Sequence, residues 1–225
     1  PLSLGRFDAL GRYLPFLSSS DVCDLQIRLR PMADLPGGLP TAWSQVYSAG
    51  KWWSVYSHDS LLWFVVPLSG PQSDSQRRPL AARVISWSQQ RATADIYMPA
   101  GAPVDPFHDL EFPFFGAFYA AHQGLMLHAS AVDMNGQAWL FIGPSGAGKS
   151  HWTRYCRGRG GLAFSEDRVV VRVLDGQVWA FGTPWHRRDQ FHEPHRAPLR
   201  RIYFLRQAEP DQCEPASQGA AATLM

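Results

Sequence analysis

Eight consecutive residues, Gly143-Pro144-Ser145-Gly146-Ala147-Gly148-Lys149-Ser150, constrain this chain more than any other stretch. They fit G-x-x-x-x-G-K-[ST], a pattern that works only between a strand and a helix. Both contexts are expected here: Ala138 to Ile142 reads as a short apolar strand, and Lys149 to Arg157 as a helix ended by Gly158 to Gly161. Such a loop must turn its backbone N–H groups inward, which needs unusual φ/ψ, and Gly143, Gly146 and Gly148 tolerate it. The helix N-terminus adds partial positive charge. Lys149 then reaches the β- and γ-phosphates of a nucleotide, and the Ser150 hydroxyl is a ligand for Mg²⁺. Ser145, Ala147 and His151 complete the expected nucleotide-binding stretch, with a nucleoside triphosphate and Mg²⁺ as the expected ligands and the base left open. The motifs N-K-x-D and L-S-G-G-Q, which mark GTPases and ABC-type ATPases, are absent.

The remaining composition sets the frame. The chain has 225 residues and is 45% hydrophobic, enough for one core or a core with a satellite domain. A charged fraction of 18% and a formal charge of +2 argue against bulk disorder and give no reason to expect nucleic acid or an acidic membrane as partner. Cys23, Cys156 and Cys213 are far apart and form no C-x-x-C pair, which fits a reducing cytosol rather than a disulfide framework or a structural zinc site. No apolar run reaches the roughly 18 residues of a membrane span, and no signal peptide is visible. A cytoplasmic location is expected. The chain starts at Pro1 and not at methionine, which leaves room for residues upstream.

Two parts are expected. Residues 1–105 hold Trp43, Trp52, Trp53, Trp63 and Trp87. Their short apolar runs (Asp24 to Arg30, Trp52 to Tyr56, Leu61 to Val66, Ala82 to Trp87) are separated by turn clusters such as Pro36-Gly37-Gly38 and Ser69-Gly70-Pro71. That pattern predicts a β-rich region, with Gly70 to Pro79 as a polar loop. Residues 106–225 are more legible. Phe114 to Gln123 reads as a short helix closed by Gly124 at its C′ position. Leu125 to Val132 and Ala138 to Ile142 form a hairpin about Asn135-Gly136, and Arg168 to Val173 and Gln177 to Phe181 form another about Asp175-Gly176. Leu162 to Ser165 and Leu199 to Leu205 are strands, and Trp185 to Arg196 is a polar loop.

Glu166 and Asp167 follow the strand Leu162 to Ser165, sixteen and seventeen residues after Ser150. Acids at such a place can hold Mg²⁺ and accept a proton from an attacking hydroxyl; the alternative is a solvated acidic pair. His128 precedes Gly143 by fifteen residues, within Leu127-His128-Ala129-Ser130. That His, the loop and Phe164-Ser165-Glu166-Asp167-Arg168-Val169 come in this order. Phe181-Gly182-Thr183-Pro184-Trp185-His186 and Ala197-Pro198-Leu199 lie behind them. Over Gly124 to Gln207 this resembles the HPr kinase/phosphorylase family, and more closely its small bacterial HPr-kinase-like relatives, which share a nucleotide-binding core with phosphoenolpyruvate carboxykinase.

The resemblance implies an α/β fold class: a P-loop HPr-kinase-like domain with a mixed sheet, preceded by the β-rich part. It implies an ATP-dependent kinase acting on a hydroxyl, a Ser or Thr of a peptide or protein. Lys149 and Ser150 would bind phosphate and Mg²⁺, Asp167 would be the metal-associated acid, and Glu166 would be the catalytic base where the family usually has Asp. His128 would lie near the transferred phosphate. The family's HPr-docking and phosphorolysis signature is not recognisable, so HPr itself is not the expected substrate. Relatives continue beyond the position of Met225 with further helices, so the C-terminal end is expected to be incomplete. HPr kinases form ring-like oligomers, which leaves room for a homo-oligomer, although no interface residue carries over. Two other readings stand beside the kinase: a non-catalytic nucleotide-binding regulatory module, and a small-metabolite kinase.

Other candidates have plainer explanations. His186, His192 and His195 are loosely spaced and read better as a solvated loop than as a zinc site. Arg187, Arg188, Arg196, Arg200 and Arg201 read equally as anion-binding groups or as a solvated face. Arg154, Arg157 and Arg159 suit the C-terminal end of the loop's helix, and Cys156 reads as a small apolar residue of that helix. The tryptophans of the first part read as core or interface, with an aromatic grip on an extended peptide as the minority reading.

Overall fold

A computed structural model describes residues 24–36, 43–67, 81–88, 90, 92–100, 107, 110–185, 191–209, 212–217 and 219. The expected polar loop Gly70 to Pro79, the turns at Gly37-Gly38 and Ser69-Gly70-Pro71, Cys23, and His186, Arg187 and Arg188 lie outside these residues. The chain divides into two compact units between Phe118 and Tyr119.

The first unit carries one six-stranded sheet: β1 (Gln26–Pro31), β2 (Ser44–Ser48), β3 (Ser54–His58), β4 (Leu61–Pro67), β5 (Ala81–Ser88) and β6 (Thr93–Met98). Its order is β1-β6-β5-β4-β3-β2, with β1 parallel to β6 and every other pair antiparallel. The run Leu61 to Val66 does not alternate because β4 is covered on both faces. Trp63 and Val65 join Val84, Tyr97 and Leu35 on one side. Phe64 turns the other way, edge-on to Phe114 at 5.6 Å. Phe114 belongs to α1 (Glu111–Ala121) and also meets Trp87 edge-on. This strand-rich sheet matches the expected β-rich part. β2 and β6 escape the expected runs because β2 is exposed throughout and β6 carries Asp95, bound by Arg28 and Arg30 of the neighbouring edge strand.

The end of α1 departs from expectation. Gln123 takes the left-handed conformation (φ 55°), and Gly124 already belongs to β7. Gly124 is required for space rather than for φ: a Cβ there would lie 2.8 Å from Arg172 Cγ and 2.9 Å from the Val171 carbonyl.

The second unit contains β7 (Gly124–Asp133), β8 (Ala138–Ile142), α2 (Lys149–Arg157), β9 (Leu162–Ser165), β10 (Arg168–Leu174), β11 (Gln177–Phe181) and β12 (Arg196–Phe204). Both expected hairpin turns form with two consecutive positive-φ residues, Asn135-Gly136 and Asp175-Gly176. The strand order is β10-β11-β12-β8-β7-β9, and a further β10–β7 pairing returns the ladder to its start. β7 pairs with β10 over Gly124 to His128, then with β8 over Ala129 to Asp133. β12 pairs with β11 up to Pro198 and runs parallel to β8 from Leu199. The sheet is therefore mixed, as expected. Strand dominates, however, with α1 and α2 as the α-helices of more than one described residue, so the helix-covered parallel sheet usual behind such a loop is not seen among the described residues.

Leu127, Ala129, Leu140, Phe164, Val169, Val171 and Ala180 fill the interior between the strands. On the outer face of β8, Phe141 packs with Val132, Cys156 and Ala163 beneath α2. Cys156 is buried, as its apolar reading expects, and burial pushes its thiol pKa up. No helix among the described residues is long and apolar enough to cross a membrane.

Candidate active site

β8 delivers the chain to Gly143, where a Cβ would lie 2.8 Å from the Leu205 carbonyl and 2.9 Å from Ala147 Cβ. Only glycine allows the chain to turn this closely against the end of β12. Gly146 (φ 83°) and Gly148 (φ 101°) complete the turn, and Gly148 is the N-cap of α2. That cap makes no side-chain hydrogen bond, and the first turn of α2 holds no acid, while Arg154 and Arg157 sit in the last turn. The helix thus presents N–H groups and positive potential to the loop, an arrangement suited to an anion. Lys149 Nζ donates to the carbonyls of Gly143 at 2.6 Å and Pro144 at 3.0 Å. Gln207, just past β12, donates Nε2 to the Gly146 carbonyl at 3.2 Å and braces the loop from the other side.

The acidic pair occupies the bend between β9 and β10, and two buried hydroxyls set that bend. Ser165 Oγ (2.6 Å) and Thr183 Oγ1 (2.7 Å) both donate to the Arg168 carbonyl. Ser165 and Thr183 are 1% and 3% exposed. Each of Ser165→Ala and Thr183→Val is expected to cost about 1 kcal/mol. The double variant is expected to exceed their sum by about 1 kcal/mol, because only then is the carbonyl orphaned. Urea denaturation of the four proteins measures this, and strict additivity would reject a shared carbonyl.

Gly182 lets the segment after β11 pass against this bend. A Cβ there would overlap the Glu193 carbonyl and lie 2.8 Å from the Phe164 carbonyl. Both opposing atoms are backbone, so Gly182→Ala is expected to destabilise by more than about 3 kcal/mol. An unchanged denaturation midpoint would refute that packing.

Glu166 is 7% exposed. Its Oε2 accepts from the Phe191 N–H at 3.4 Å, and its Oε1 is buried with no hydrogen-bond partner among the described residues. Asp167 Oδ1 accepts from Arg168 Nη1 at 2.7 Å and lies 2.9 Å from His128 Nδ1. His128 stands opposite Arg168 in the β7–β10 register, and its Nδ1 is also 2.7 Å from Arg168 Nη1. A proton on Nδ1 suits Asp167, and a proton on Nε2 suits Arg168.

His128, Ser145, Gly146, Gly148, Lys149, Ser150, His151, Glu166 and Asp167 line one cavity of about 250 Å³. Gly143 and Ala147 shape the loop from behind. Sequence reasoning had not assigned Arg168, Ser165, Thr183, Phe191 or Gln207 to the site. Arg168, Ser165 and Thr183 stood inside quoted stretches without a role of their own, whereas Phe191 and Gln207 stood outside them and act through backbone contacts that no motif encodes.

The histidine-rich segment departs from a solvated loop in its described part. His192 bridges to Ser165 of β9. His195 Nε2 lies 2.7 Å from Asp133 Oδ2, and its ring packs on Phe164. β12 already begins at Arg196, whose guanidinium lies over Trp179. Arg200 and Arg201 are exposed. No group of three His, Cys, Asp or Glu side chains gathers to hold a metal among the described residues.

A scan of family models and a search of curated proteins find no match for this chain.

Proposed function

We propose that this chain is an ATP-dependent kinase of the HPr-kinase-like kind, passing the γ-phosphoryl group to a hydroxyl on a Ser or Thr of a peptide or protein. The observation that carries the reading is the single cavity shared by the glycine loop, Lys149, Ser150, Glu166, Asp167 and His128. Phosphoryl transfer needs positioning and charge neutralisation more than covalent chemistry, and this cavity offers both. The loop's N–H groups and Lys149 hold the phosphates. Glu166 takes the proton as the acceptor oxygen bonds to the γ-phosphorus, the bond to the β-phosphate oxygen breaks, and ADP leaves. His128 lies at the same cavity, tethered to Asp167.

The donor set fits Mg²⁺. The ion favours hard oxygen ligands and accepts one or two carboxylates together with substrate phosphates. Ser150 and Asp167 would hold it, and the buried Glu166 Oε1, unpartnered among the described residues, marks a wall of this cavity where positive charge is favourable. When bound, it supplies neutralisation of the β- and γ-phosphate charge.

The test is purified protein incubated with MgATP and serine- or threonine-containing peptides, read by mass spectrometry. A gain of one phosphate on a peptide is the expected result. A second reading, a non-catalytic nucleotide-binding module, is favoured by Asp167 Oδ1 being already held by Arg168 and His128. Tight ATP binding with neither transfer nor hydrolysis would select it.

A further inference from the structure

We propose that the base of the bound nucleotide stacks on the outward face of Trp152, with His151 and Tyr155 as side walls. This deepens the nucleotide-binding reading of the Gly143–Ser150 loop and rests on it. A triphosphate seated in the loop leaves its ribose and base outside, where the flat, apolar base gains by stacking on an aromatic ring. The chain places such rings immediately after the loop. His151 lines the phosphate cavity, and its ring stands edge-on to Trp152 at 6.4 Å. Trp152 belongs to the first turn of α2, where its main-chain N–H donates to the Gly148 carbonyl at 3.0 Å.

Trp152 is supported from within and open outside. Its ring lies nearly parallel to Phe141 (14°, 6.0 Å), and Phe141 nearly parallel to Tyr203 (16°, 5.4 Å). Phe141 is buried, so one side of the indole is covered, yet Trp152 remains 42% exposed. Tyr155 meets Trp152 edge-on at 5.4 Å, is itself 47% exposed, and carries Arg159 over its ring. Two large aromatics exposed within one turn, directly behind an anion-binding loop, leave a rigid π-surface that a purine would cover. Stacking of this kind accepts adenine and guanine alike, since either base has a π-face.

The experiment compares MgATP, MgGTP and magnesium tripolyphosphate by calorimetric titration of wild type, Trp152→Phe and Trp152→Ala. Wild type is expected to bind both nucleotides more tightly than tripolyphosphate. Trp152→Ala is expected to weaken both nucleotides roughly tenfold and leave tripolyphosphate unchanged, which also certifies the fold, with Trp152→Phe in between. Equal weakening of nucleotide and tripolyphosphate, or no weakening of the nucleotides, overturns the platform alone. A wild-type protein that binds none of the three overturns the nucleotide reading and the platform with it.

Discussion

A Glu166→Gln protein is expected to keep its affinity for MgATP and to transfer phosphoryl groups about 10²–10⁴-fold more slowly, the usual contribution of a positioned general base. The amide keeps the size and can still accept from the Phe191 N–H, so the bend between β9 and β10 should survive. What it loses is the capacity to take the acceptor's proton. The side chain is buried and Oε1 is unpartnered among the described residues, so no neighbour there is known to compensate. Single-turnover transfer measured alongside ATP binding separates the outcomes. Undiminished transfer removes the base assignment, whereas loss of binding together with transfer would make Glu166 a structural or metal-holding residue. Glu166→Asp asks a second question. If the carboxylate acts directly, shortening it by one methylene should give a rate between those of Glu and Gln.

Lys149→Met is expected to lower both ATP affinity and transfer, the latter by about 10²–10³-fold, as when a preorganised charge donor is removed from a transition state. The ammonium also bonds the carbonyls of Gly143 and Pro144, so some of the effect could reflect a loosened loop. Lys149→Arg helps to sort the two: it keeps the charge on a larger, planar head that does not fit the same pair of carbonyls. If affinity follows charge, Arg retains part of it; if it follows loop geometry, Arg fails as Met does. A Lys149→Met protein with wild-type ATP binding would mean that the loop is not the phosphate site.

Legibility in the sequence followed the locality of the signal. β8, α2, β9 and β11 were readable to the residue because each is bounded by a glycine, a tight turn or the loop itself. Asn135-Gly136 and Asp175-Gly176 carry their own conformational preference, so both hairpins were visible without tertiary knowledge. β12 begins earlier than its apolar run because Pro198 conceals it. Proline usually disqualifies a strand interior, but here it sits where β12 exchanges β11 for β8. Gln123, at the end of α1, adopts a conformation its residue type does not announce. In the site, the loop residues, Glu166, Asp167 and His128 were nameable from spacing and resemblance. Ser165, Thr183 and Gln207 were not, because their roles lie in which carbonyl they reach, and that depends on strands distant in the chain.

The returning ladder of the second unit has a consequence for how the site comes into being. β7–β8 and β10–β11 are local hairpins with preformed turns and can assemble early. β8 and β12 are parallel partners far apart in sequence, so their pairing carries a larger loop-closure cost and belongs late. Yet β12 brings Leu205 against Gly143, and just beyond it Gln207 reaches Gly146. During synthesis the glycine loop and α2 therefore emerge well before the wall that holds them, and a nascent chain ending at Phe181 would have both hairpins but an unbraced loop. If the loop holds phosphate as proposed, that ability would arrive late and cooperatively, when the last strand docks.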